Sequence, residues 1–442
     1  MKRSPLFLML AGIWMAAGPS PVIAQEDFDL DRIPDTQPAT SDETSRDVGT
    51  AQQNKIFLED ALGLTGRRNN LVVPSPSAHQ PDVQARSSLD VTAHRDWADG
   101  LSATLSDRLD LSWRNDLDVS SHRSIANDFR EAYLTWEPVS QTYVESGRVN
   151  LRNGSALGFN PTDFFKTRSL VNQTNLDPSA LRNNRLGTFM VHAQRLWSDG
   201  SAGLAFGPKL ADASPLTGTD PGGFDVRSGR TNAEDRMLVS LTQDIGDFSP
   251  QALFYHEADR TRWGLNLSHP VGQSIIAYGE WAGGRQASGV AEAVAFGKRT
   301  GTLPTTAPVP ASADSAVSFK NDLALGASWT GSEKVTVNAE YHLHQAGLSR
   351  RDLRDWFASS ARGAPSLANE LWYVRSFAAD QQNPLVRHQI FLRADWTDAV
   401  ISHLELSAFA FISLYDGSSQ TQLAASYDLS DHWSMGLYAA AN

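Results

Sequence analysis

From residue 83 onward apolar and polar side chains alternate with a period of two, the pattern of strands that show one face to an apolar medium and the other to water. The clearest run is Leu101, Ala103, Leu105, Leu109, Leu111 and Trp113, with Ser102, Thr104, Ser106, Arg108, Asp110, Ser112 and Arg114 between them; Asp107 alone breaks it. A second run sets Val335, Val337, Ala339, Tyr341 and Leu343 against Thr336, Asn338, Glu340, His342 and His344. A third follows Leu404, Leu406, Ala408, Ala410 and Ile412. Extended over the chain, the alternation predicts strands at 83–95, 101–114, 129–137, 142–151, 186–197, 201–208, 236–245, 251–258, 262–268, 274–284, 319–330, 334–345, 386–396, 400–413, 418–428 and 432–440, sixteen in all. Residues 55–66 read equally as a short helix or a first strand.

Short turns at 98–100, 137–140, 198–200, 246–249, 331–333, 397–399 and 429–431 join these strands in pairs, most with Gly, Asp, Ser or Pro that suit tight turns. Between pairs the connections are longer: 115–128, 152–185, 209–235, 285–317 and 346–385. Short turns at one rim and long loops at the other are the layout of an outer-membrane barrel. No run of 18 apolar residues follows the first 24, so a helical membrane protein is excluded, but a barrel escapes that test because lipid-facing residues occupy only alternate positions. Trp97, Trp136, Trp197, Trp329, Trp396 and Trp433 all sit beside short turns, where a membrane barrel carries an aromatic girdle. The fold class is therefore all-β, an antiparallel transmembrane outer-membrane β-barrel of about 16–18 strands with long extracellular loops. Sixteen strands leave both termini outside; a strand over 53–65 and another after Asn442 correct this. The chain stops at Leu437-Tyr438-Ala-Ala-Ala-Asn442, without the terminal aromatic that usually closes such barrels.

The N-terminus fixes the compartment. Lys2 and Arg3 precede an apolar run from Leu6 to Ala17, then Pro19 to Pro21 and small residues ending at Ala24, as a cleaved secretory signal requires. The apolar run is too short and proline-broken for a membrane anchor. Residues 25–52 are acidic and polar and read as a disordered leader, which leaves 53–442 for the barrel. The formal net charge of −12, falling further once Lys2 and Arg3 are removed, excludes a basic nucleic-acid-binding protein. The absence of cysteine is compatible with an oxidising compartment.

Phe129-Arg-Glu-Ala-Tyr-Leu-Thr-Trp136, then Tyr143-Val-Glu-Ser-Gly-Arg148 and Asn160-Pro-Thr-Asp-Phe164, resemble the Glu-aromatic strand, the Gly-Arg strand and the Asn-Pro-x-Asp loop of outer-membrane channels of the alginate-export family. The resemblance is close over these segments only, and the missing C-terminal aromatic departs from the family. It implies a monomeric pore for a polar solute or anionic polysaccharide, with a long loop partly occluding the lumen and export partners in the periplasm. Otherwise the partners are outer-membrane lipid and lipopolysaccharide. No cofactor is implied.

Connection 152–185 carries Arg152, Lys166, Arg168, Arg182 and Arg185 against Asp163 and Asp177, a local excess of three positive charges. Arginine clusters take carboxylate or phosphate bidentately, so such a loop in a lumen favours anionic solutes; the alternative is pairing with neighbouring loops or acidic lipid. Arg108, Arg114, Arg393, Glu340, His342 and His344 lie on polar faces that point to the lumen. Arg148 and Arg152 share a face with Val144, and the pattern does not tell which side that is. His342 and His344, two apart in line with Glu340, have a metal-ligating spacing only if a third ligand approaches; ordinary polar lumen residues fit as well. No Gly-x-Ser-x-Gly elbow marks a nucleophile, which counts against an outer-membrane hydrolase. A structural or anchoring barrel is the other alternative. Leu353, Trp356, Phe357, Leu367, Leu371, Val374 and Phe377 recur at helical steps, so 351–377 predicts a helical lid, plug or extracellular loop.

Overall fold

The computed structural model describes residues 52–441 apart from 65–82, 98–99, 117–118, 172–175, 217–225, 247, 309, 311–314 and 362–364, together with two short N-terminal stretches. Seventeen antiparallel strands form one sheet in which each strand pairs with the next. They are β1 Gln52–Leu64, β2 Val83–Asp96, β3 Leu101–Asp116, β4 Val119–Val139, β5 Thr142–Val149, β6 Thr188–Trp197, β7 Gly200–Gly207, β8 Arg236–Gln243 and β9 Gln251–Glu257. The series continues with β10 Arg260–Val271, β11 Ile275–Gln286, β12 Ser318–Thr330, β13 Val335–His344, β14 His388–Trp396, β15 Leu404–Ser413, β16 Ser419–Ser430 and β17 Trp433–Ala441. The ambiguous segment 55–66 is thus strand β1. The expected loop 115–128 is also largely strand, because above the lipid belt an outward face no longer has to be apolar and the alternation that marks a strand fades.

An odd strand number leaves β1 and β17 parallel to each other. Met9–Leu10 and Ile13–Ala16 lie between them, antiparallel to both, with Met9 opposite Gly63 and Tyr438 and Met15 opposite Leu58 and Trp433. Both stretches belong to the expected signal sequence, and in the unprocessed chain they occupy the position between β1 and β17. The cleavage site and the acidic leader fall outside the described residues.

The pairing registers sort each strand into two faces. Leu105, Leu134, Leu204, Val239, Trp263, Leu265, Leu325, Leu392, Leu423 and Leu437 all point outward and are exposed, whereas the buried set on the strands is mostly polar. A closed sheet satisfies its backbone internally, and an apolar exterior with a polar interior suits a bilayer rather than water. The chain is a transmembrane β-barrel of the outer-membrane type. Asp107 fits this plan through a β-bulge at Ser106/Asp107. The bulge sets Asp107 beside Asn127, whose Nδ2 donates to both carboxylate oxygens at 3.0 Å, and the extra residue of β4, Arg130, turns inward to Asp90.

The long connections carry the helices: α1 Pro178–Asn183, α2 Ser228–Thr231, α3 Gly289–Arg299, α4 Arg350–Ala361 and α5 Pro365–Asp380. The predicted helical segment 351–377 is therefore two helices, and α3 is a helix that the alternation did not announce. Val290, Ala293 and Phe296 of α3, Leu353 and Trp356 of α4, and Leu371 and Val374 of α5 share one apolar core with Leu303, Leu348 and Val386. This helical cap has a core of its own, outside the strands.

Candidate pore constriction

Connection 150–187 does not project outward; it crosses the lumen. It leaves β5, returns at β6, and between the two touches inward side chains of β9, β11, β13, β14 and β16. A backbone away from secondary structure must find partners for its N–H groups, and here strand carboxylates accept them. Glu280 on β11 accepts from Ala156 N at 2.6 Å and from Thr162 Oγ1 at 3.0 Å. Glu340 on β13 accepts from Leu157 N at 2.6 Å, Gly158 N at 2.9 Å and Tyr278 Oη at 2.7 Å, with His342 Nε2 2.7 Å away. Two glycines permit this approach. A Cβ on Gly154, which has φ +81°, would lie 2.4 Å from the Glu280 carboxylate, and one on Gly158 would lie 2.6 Å from the Phe391 ring.

The Asn-Pro-x-Asp segment forms the next part of the crossing. Lys166 donates from Nζ to Asn160 O at 2.6 Å and lies 4.4 Å from the Phe159 ring centroid. Burial pushes its ammonium down to about 8, an effect that Asp163 partly opposes. Asp163 takes Arg185 Nη2 at 2.9 Å in a pair almost wholly removed from solvent. Phe164 stacks on Tyr255 of β9 with centroids 4.6 Å apart.

The predicted site residues fall into several settings. Arg108 is an internal hub: it reaches Asp110, Asp90 and Glu59 at 3.0, 2.7 and 3.0 Å, and donates to Ser88 Oγ at 2.8 Å. Arg86 and Arg130, which the pattern did not single out, join the same wall through Glu59 and Asp90. Arg114 is exposed on the upper arm of β3. Arg393 holds Asp395 and, across the lumen, Asp177 and Ser179 of the crossing loop. His342 lies beside Glu340, and His344 Nδ1 lies 2.8 Å from Asp322, which also pairs with Arg262. Arg168 pairs with Asp380 of α5, and Arg185 with Asp163. For both arginines burial pulls the guanidinium below its usual range. Arg182 donates from Nη2 to Gly154 O at 2.8 Å, and Arg152 from Nη1 to Asn183 Oδ1 at 2.6 Å; both remain partly exposed.

The strand pairing decides the face of Arg148, which the alternation left open. Its register partner is Ala132, on the face that also carries Leu134 and Trp136, so it does not line the lumen. At the top of β5 it donates to Gly187 O and Val226 O and lies over the Phe189 ring, buried by the connections rather than by the pore. The β4–β5 pairing settles which side the Val144 face takes. Trp97, Trp136, Trp197, Trp329, Trp396 and Trp433 stand at or beside the strand ends of the short-turn rim, five of them exposed. Trp197 is only partly so, with Nε1 3.4 Å from Gln243 Oε1.

No family model matches the chain, and no curated protein does. Among solved structures it is similar to OccK7 (OpdD) of Pseudomonas aeruginosa at 10% identity, covering 99% of this chain and 97% of that one with a TM-score of 0.42. A second is Salmonella typhi OmpF in complex with daunomycin, at 8% identity over 89% and 97% with a TM-score of 0.42. A porin refined at 1.8 Å follows at 10% identity over 81% and 94%, with a TM-score of 0.39. At such identities and scores the likeness assigns no solute and no residue role.

Proposed function

We propose that the protein is a passive channel of the outer membrane that passes polar solutes and favours anions. The observation that carries this reading is the loop that narrows a polar lumen while leaving Arg152 and Arg182 partly exposed on it. The other three loop cations are buried. Arg185 is matched by Asp163, Arg168 by Asp380, and Lys166 is buried against Asn160 O. Charges beside a narrow aqueous path act at short range with little screening, so two guanidinium groups are enough to bias it toward carboxylate or phosphate solutes. The resemblance of 129–164 to alginate-export channels supports an acidic polysaccharide as one such solute.

The test replaces Arg152 and Arg182 by Gln and compares reversal potentials across planar bilayers under a salt gradient. A shift toward cations with the main conductance retained supports the reading. Unchanged selectivity places these arginines outside the ion path. The dense network around Glu280 and Glu340 favours a second reading, a plugged barrel that anchors an assembly; wild-type protein that folds but stays silent in bilayers selects it.

A further inference from the structure

Arg168 joins three connections. It is buried, it sits in the left-handed region at φ 61°, and both its backbone and its side chain are committed. Its N donates to Asp380 O at 2.9 Å, and its O accepts from Arg230 Nε at 3.0 Å. Its guanidinium donates to Gly229 O at 3.1 Å, Ser214 O at 2.6 Å and Asp380 Oδ2 at 3.2 Å, and it stacks 4.8 Å from the Phe296 ring of α3. The second oxygen of Asp380 takes Arg230 Nη2 at 2.8 Å. Gln382, two residues on, donates from Nε2 to Lys166 O and to Ser169 Oγ. The lumen-crossing loop, the connection that holds α2 and the helical cap therefore meet on one carboxylate and two arginines.

The position of that carboxylate is informative. Asp380 is the last residue of α5, where the helix presents its negative end and an acid is disfavoured. It is also buried, so its charge is tolerable only while both guanidinium groups face it. A non-glycine residue at positive φ likewise persists only when its surroundings over-determine it. The contact is thus made or broken as a unit. The apolar core of the cap contains no residue of the lumen-crossing loop.

We propose that the cap is a lid, that Arg168–Asp380–Arg230 is the latch that seats it on the constriction loop, and that release of the latch gives a second, wider conducting state. This rests on the channel reading. The test uses refolded full-length protein in planar bilayers, with heat-modifiable migration on gels as the control for an intact barrel. Asp380→Asn keeps the shape and removes the charge that both arginines need. The expected result is a conductance level above the main one, with an occupancy at least about tenfold that in wild type, equivalent to about 1.4 kcal/mol. Because the chain has no cysteine, Ser169→Cys/Gln382→Cys in the Asp380→Asn background provides a reversible lock, with the crosslink verified beforehand by the mobility of the denatured, unreduced protein on gels. Oxidation should abolish the upper level and reduction restore it. A conducting wild type whose Asp380→Asn variant gives the same level histogram overturns the latch alone, as does an upper level that survives the lock. A folded wild type without conductance overturns the channel reading first and the latch with it.

Discussion

Glu340→Gln tests whether the lumen-crossing loop is held by strand carboxylates. The substitution keeps the shape of a buried side chain whose two oxygens face Leu157 N, Gly158 N, Tyr278 Oη and His342 Nε2. Glutamine offers one acceptor oxygen and sets an NH2 group against donors at the other position. Of the four polar contacts, two are lost or turned repulsive. Only one of the two is a loop contact, because Tyr278 and His342 stay on the barrel wall, and hydrogen bonds to a charged acceptor contribute roughly 1.5–3 kcal/mol each, so the seated loop loses about 1.5–3 kcal/mol relative to the unseated one. That corresponds to a rise of about ten- to a hundredfold in the unseated population. The barrel itself should persist, because its strands pair independently of the loop. The readout is single-channel recording: open-channel noise and mean conductance rise, while gel migration of the unheated protein stays that of a folded barrel. Tyr278→Phe alone should have a smaller effect of the same sign, and little further effect when added to Glu340→Gln, because the two share one contact. Glu340→Gln channels with wild-type conductance and noise would refute the anchoring role.

Gly154→Ala should act through the same seat, since its Cβ would meet the Glu280 carboxylate and its φ of +81° strains any L side chain; raised open-channel noise with an intact barrel is expected. Lys166 should give the stability of the loop a pH dependence. Its ammonium, pushed down to about 8 by burial, is charged below that pH and neutral above it, and Lys166→Met should lose the dependence. An unfolded lysine keeps its proton to about 10.4, so between the two values the folded loop gains stability as pH rises, and its melting, followed by a fluorophore attached to the loop, should move upward in that window. Of the six rim tryptophans, Trp136 and Trp329 should be quenched by interfacial spin-labelled lipid rather than by labels at mid-bilayer, and quenching at mid-bilayer would contradict the girdle.

The period-two alternation by itself determined the class of the fold and nearly all of its strands, because a lipid-facing strand must alternate and that requirement is local. For the same reason Arg108 and Arg393 were legible as lumen residues, and connection 152–185 as long and basic. Whether its arginines face solute or acid was not legible. Arg168 meets Asp380 and Arg393 meets Asp177 over more than two hundred positions, and only closure of the ring brings them together. The face taken by Arg148 depended on the β4–β5 register and on loops that cover the strand top. Arg86 and Arg130 looked like ordinary strand residues until Glu59 and Asp90 were set beside them. Glycines 154 and 158 gave no signal, since their need for a missing Cβ arises on the opposite wall of the barrel. Sequence specifies what each strand shows to lipid, residue by residue; what fills the lumen is set by pairs of side chains distant in the chain, and those exist only once the sheet has closed.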